Sequence, residues 1–99
     1  MKIEVKKMED KLTLKLKGRL DTTTAPKLEE VLKDSLADVT ELRMDFLELE
    51  YLSSAGLRVL LAASKEMKKK DGTMVVCNVN EDIMEVFTIT GFTDILTIQ

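Results

Sequence analysis

Apolar residues recur along this chain at two different periods, and the points where one period replaces the other mark out its elements. Ile3 and Val5, then Leu12, Leu14 and Leu16, alternate with polar residues at the spacing of half-buried strands. Glu9-Asp10 between the two runs suits a turn, so the pattern predicts an opening hairpin. After Gly18-Arg19-Leu20-Asp21 the spacing becomes helical. Thr22, Thr23 and Thr24 offer N-cap hydroxyls, Pro26 fits a first turn, and Leu28, Val31, Leu32, Ser35 and Leu36 share one face. A helix over about 24–36 is predicted.

Leu42, Met44 and Phe46 alternate with Glu41, Arg43 and Asp45 as a strand, and Leu47-Glu48-Leu49-Glu50-Tyr51 continues the alternation toward a loop at Ser53-Ser54. Leu57, Leu60, Leu61 and Met67 form the next helical stripe, with Lys65, Lys68, Lys69 and Lys70 gathered in its last turns and Asp71-Gly72 ending it. Thr73 to Val79 is mostly apolar and rich in β-branched residues, as expected of a strand covered on both faces or set in the middle of a sheet. Asn80 can cap a third helix, in which Ile83, Val86, Phe87 and Thr90 share a face and which Gly91 stops; Ile95 to Ile98 then makes a closing strand.

The resulting order, β-β-α-β-α-β-α-β, implies an α/β fold in which helices pack against a mixed sheet through right-handed crossovers. With 99 residues, 44% of them hydrophobic, the chain has material for one core, so residues 1–99 are read as a single domain. No repeat, linker or low-complexity segment suggests an internal boundary.

The net charge of -3 arises from acids and bases mixed along the chain, which leaves no continuous positive surface and makes nucleic acid an unexpected partner. The longest strongly apolar stretch, Gly56 to Ser64, contains Arg58 and falls far short of the ~20 residues that cross a bilayer, so membrane insertion is not expected. Charged residues interrupt Met1-Lys2-Ile3-Glu4-Val5-Lys6-Lys7, unlike the apolar region of a secretory signal, and a cytoplasmic location follows as the expectation. Cys77, in Met74-Val75-Val76-Cys77, is read as a small hydrophobe of the core.

There is no histidine, which removes the commonest general base and the commonest nitrogen ligand for metals. Glu41, Asp45, Glu48 and Glu50 recur at strand spacing and are read as a solvated face, not as an acid–base pair or metal cluster. Lys68-Lys69-Lys70 suits the negative end of a helix, and no Gly-rich phosphate loop follows any strand. Ser54 as a hydrolytic nucleophile would lack its usual base. No catalytic residue, cofactor or metal is assigned, and a binding protein is expected in place of an enzyme.

Tyr51-Leu52-Ser53-Ser54-Ala55-Gly56-Leu57 sets two hydroxyls and two small residues where a loop enters a helix, beside backbone N–H groups without intrahelical partners. A serine here can simply cap the helix. It can also carry a switch: a phosphate brings about -1.5 to -2 charges to the positive end of the helix dipole, where its own domain tolerates it. In an interface the same dianion must be desolvated and repels any facing carboxylate. Ala55 and Gly56 leave the hydroxyl open to a kinase or partner.

Gly18-Arg19-Leu20-Asp21 resembles the Gly-x-Leu-Asp loop of the STAS domain, named after sulfate transporters and anti-sigma factor antagonists. Asp45-Phe46 followed by Tyr51-Leu52-Ser53-Ser54-Ala55-Gly56-Leu57-Arg58-Val59-Leu60-Leu61 resembles its central signature. The likeness covers nearly the whole chain. It implies a STAS-like fold, Ser54 as phosphoacceptor, and Asp21, Ser53, Ser54, Ala55 and Gly56 at the partner surface. Asp21 reads equally as a turn residue before a helix. Ser53 stands where well-known members carry Asp, and Ala55 where they often carry Ser or Thr; the acceptor remains in place.

The resemblance further implies a cycle. An anti-sigma factor with serine kinase activity, using its own ATP and magnesium, phosphorylates the antagonist; a serine phosphatase reverses this; the unmodified form binds the anti-sigma factor and releases the sigma factor. The alternative within the family is a regulatory subunit that binds the ATPase of a lipid-trafficking ABC transporter.

Overall fold

Lys2–Met8 (β1) and Lys11–Leu20 (β2) pair antiparallel, setting Ile3 opposite Leu16 and Val5 opposite Leu14. Glu9 makes the turn between them at φ 58°. The computed structural model describes residues 1–99. Glu41–Leu52 (β3), Thr73–Cys77 (β4) and Thr97–Ile98 (β5) extend the sheet in parallel, in the order β1-β2-β3-β4-β5. Parallel neighbours need crossovers, and the three helices Ala25–Ser35 (α1), Ser54–Lys69 (α2) and Glu81–Thr90 (α3) supply them in turn. This is the mixed-sheet α/β architecture the periodicity predicts.

All three helices lie on one face. The register aligns Leu12, Leu14 and Leu16 with Leu42, Met44 and Phe46, and these with Met74 and Val76, all of them buried. Phe87 of α3 meets Phe46 with ring centroids 6.4 Å apart and Phe92 at 6.3 Å, which ties the last helix to the middle of the sheet. The intervening residues form a polar face, on which cations of β2 stand opposite carboxylates or a ring of β3. Lys11 Nζ lies 3.5 Å from Glu41, Lys17 Nζ 4.0 Å from Glu48, and the Arg19 guanidinium 4.1 Å from the centre of the Tyr51 ring. Such exposed pairs contribute roughly 0–1 kcal/mol each; their effect is to keep that face solvated and balanced in charge.

Four expectations need correction. The alternation of β3 stops at Phe46: beyond it the buried residues are Phe46, Leu49 and Leu52, every third position. Two register shifts against β2, between Lys15 and Lys17 and between Gly18 and Arg19, each add one residue to β3. Leu49 is thereby turned inward and Glu48 and Glu50 outward, while Leu47 and Tyr51 keep the outward side that alternation gives them. β4 lies inside the sheet between β3 and β5, with one face buried, but ends at Cys77, because Asn78 adopts φ 57°; Cys77 is half-buried on the polar side and is not a core residue. The closing strand is only two residues long, since Phe92–Asp94 form a 3-10 turn and Leu96 turns into the core.

Candidate functional site

Leu20 and Leu52 end β2 and β3 side by side, and Ser53 N donates to Leu20 O at 2.9 Å, holding the chain against the sheet for one residue more. Ser53 is extended (φ -97°, ψ 174°), and its Oγ accepts from Gly56 N at 3.4 Å. Ser53 is therefore the N-cap of α2. Ser54 is the first helical residue and is exposed; Ala55 is half-buried and Gly56 buried. No acidic residue lies in the first turn.

Gly56 decides how closely α2 approaches the sheet. A Cβ there would fall 2.7 Å from both Leu20 Cγ and Leu52 Cδ1. The helix thus rests directly on the ends of the two strands, and its start lies beside the Gly18–Asp21 segment, which is not the loop that the motif implies: Gly18–Leu20 end β2 and the turn begins at Asp21. The two segments that were singled out in the sequence, far apart along the chain, form one edge of the molecule.

At the end of that segment Asp21 serves its own turn. Its Oδ1 accepts from Thr23 N at 3.0 Å, Thr23 Oγ1 at 2.8 Å and Thr24 N at 3.2 Å, while Oδ2 lies 3.7 Å from Arg19 Nε. The Thr23 hydroxyl, joined by the amides of Thr23 and Thr24 and opposed by partial desolvation, holds the Asp21 carboxyl below its ordinary range. Thr24 occupies the N-cap of α1 without making a side-chain cap. Its hydroxyl instead donates to Arg19 O at 2.7 Å and accepts from Asp21 N at 2.8 Å, so the predicted cap is replaced by an aspartate-centred turn upstream.

Arg19 and Tyr51 lie within the two motif segments but receive no role from the sequence, yet they flank this edge. Their pairing depends on the extra residues in β3, and no periodicity in the chain reports it. The carboxylates Glu41, Glu48 and Glu50 are exposed, and no group of three or more His, Cys, Asp or Glu is gathered as a metal site. An apolar groove of about 410 Å³ between α1 and α2, lined by Leu32, Leu36, Val59, Ala62 and Ala63, lies toward the later turns of α2.

The chain matches the STAS domain over residues 2–99, and it belongs to that family. It is 31% identical over 97 residues to the anti-sigma-B factor antagonist of Bacillus subtilis (strain 168), covering 98% of this chain and 89% of that one. Among solved structures, an anti-sigma factor antagonist from Mycobacterium paratuberculosis superposes with a TM-score of 0.87 at 24% identity, over 98% of this chain and 83% of that one. The Bacillus cell fate determinant SpoIIAA in its phosphorylated form gives 0.79 at 17% identity, over 99% and 91%. These two likenesses show the fold. No helix of the chain is long and apolar enough to cross a membrane.

Proposed function

We propose that this chain is an anti-sigma factor antagonist: unmodified, it binds an anti-sigma factor that has serine kinase activity and so frees a sigma factor, and phosphorylation of Ser54 ends that binding. The carrying observation is the division of labour between adjacent serines. Ser53 caps α2, which leaves the Ser54 hydroxyl exposed at the first helical position and free to be modified without loss of the cap. The curated relatives of this chain that are named as antagonists support the same reading.

The chain needs no catalytic residue for this role. The kinase transfers the γ-phosphoryl group of ATP to Ser54 Oγ with loss of the hydroxyl proton, and a serine phosphatase hydrolyses the ester. The product dianion sits against the unpaired N–H groups and positive dipole of α2, with no carboxylate in the first turn to oppose it. The domain keeps its fold, while a bound partner would have to desolvate the new charge. Ala55 and Gly56 keep the approach low, and the Asp21 loop with Arg19 borders it. A partner that consumes ATP places the cycle in the cytoplasm. Incubation with the anti-sigma factor and ATP followed by mass spectrometry tests the assignment: one phosphate on Ser54 supports it, and an unmodified Ser54 removes the switch.

A further inference from the structure

We infer that the outward-turned stretch of β3 from Leu47 to Tyr51 is a second contact for the partner, receiving an arginine or lysine of the anti-sigma factor against Glu50 while that side chain's apolar stem rests on Leu47. This rests on the anti-sigma factor being the protein that docks at Ser54.

The reason lies in what the two added residues of β3 do. Asp45 Oδ1 accepts from Leu47 N at 3.0 Å and from Asn78 Nδ2 at 2.9 Å, so the Leu47 amide is held by a side chain just where the register shifts. Leu47 is left 71% exposed and Tyr51 41% exposed, in a strand whose other apolar residues are all buried. Single exposed apolar residues are ordinary on protein surfaces. Here, however, Glu50 is the residue added at the second shift and is brought out beside them by that departure from regular pairing, and such departures commonly re-aim side chains at functional edges.

Charge identifies the occupant. Along the same face Glu41 and Glu48 are matched by Lys11 and Lys17, whereas Glu50 is exposed and takes part in no ion pair. A shallow depression of about 580 Å³ lies there, lined by Lys17, Gly18, Leu47, Glu48, Glu50 and Asn80. With Lys17 offset by Glu48, its uncompensated charge is the Glu50 carboxylate, which favours a cation and disfavours an acidic or phosphorylated group. A guanidinium or ammonium can meet Glu50 while its methylene stem covers Leu47, the way long cationic side chains lie on apolar surface. Tyr51, three residues before Ser54 and backed by Arg19, joins this contact to the switch.

Calorimetric titration of the full chain with the purified anti-sigma factor of its host tests the assignment, using Glu50→Lys, Leu47→Ser and, as reference, Ser54→Asp. Both β3 positions are exposed, and thermal unfolding verifies that the variants fold. Glu50→Lys is expected to weaken binding by about tenfold or more and Leu47→Ser by several-fold. Wild-type affinity in both β3 variants, with Ser54→Asp still impaired, overturns the second contact and leaves the Ser54 switch standing. An anti-sigma factor that does not bind the unmodified wild-type chain overturns both.

Discussion

Ser53 Oγ accepts a hydrogen bond from Gly56 N at 3.4 Å, and through this bond two neighbouring serines acquire separate tasks. The first closes the start of α2 and the second stands outside that closure. Ser53→Ala is therefore expected to lower stability by about 0.5–1 kcal/mol, the lower part of the N-cap range, since the bond is long. Ser54→Ala is expected to leave stability within about 0.5 kcal/mol while abolishing phosphate uptake. Urea unfolding of the two variants checks this, and a larger loss for Ser54→Ala would reverse the assignment of cap and acceptor.

Gly56 offers a test of how the site is positioned. An added methyl would meet Leu20 and Leu52 at 2.7 Å, so α2 must lift or the leucines must move. Overpacking of this kind costs roughly 1–3 kcal/mol, against which alanine recovers about 1 kcal/mol of helix propensity. Gly56→Ala should thus be destabilised by roughly 0–2 kcal/mol, centred on about 1 kcal/mol, on denaturant unfolding. Its binding to the anti-sigma factor should weaken as well, because the start of α2 shifts relative to the Asp21 loop. A variant as stable as wild type would show that the contact is slack.

Asp45 gives the clearest pH dependence. Desolvation by partial burial raises its pKa, but the Asn78 amide, the Leu47 N–H and the cations Lys15 and Arg43 outweigh that and hold the carboxyl below its ordinary value of 3.8. A depressed folded-state pKa contributes stability that is complete above the unfolded value and is lost as pH falls through the folded one. Asp45→Asn should therefore melt below wild type at neutral pH, and the gap should close as the pH falls below that ordinary value. Melting temperatures across an acid titration measure this; a gap that stays constant with pH would assign the effect to shape and not to charge.

Much of this architecture is legible in the chain because strand and helix spacings differ and their changes coincide with Asp21, Ser53, Gly72 and Gly91. The second half of β3 is not legible. Leu47, Leu49 and Tyr51 share a face only while the strand stays in register, and the two shifts that separate them depend on Gly18 at φ 101° and on Asp45 capturing the Leu47 amide. Adjacent hydroxyls such as Ser53 and Ser54 cap equally well on paper. The bond from Ser53 N to the carbonyl of Leu20, a residue distant in the chain, chooses between them. Asp21 was readable either as a turn former or as a contact; its Oδ1 is engaged by Thr23 and Thr24, and Oδ2 is the oxygen turned toward Arg19.

The affinity of the purified anti-sigma factor for the unmodified chain and for the chain fully phosphorylated on Ser54, with thermal unfolding of both forms, tests the switch most directly. Phosphorylation should leave the melting temperature within a few degrees and reduce affinity by about a hundredfold or more, since the helix start accommodates the dianion and the interface does not. Equal affinity of the two forms, or unfolding of the phosphorylated one, would contradict the account.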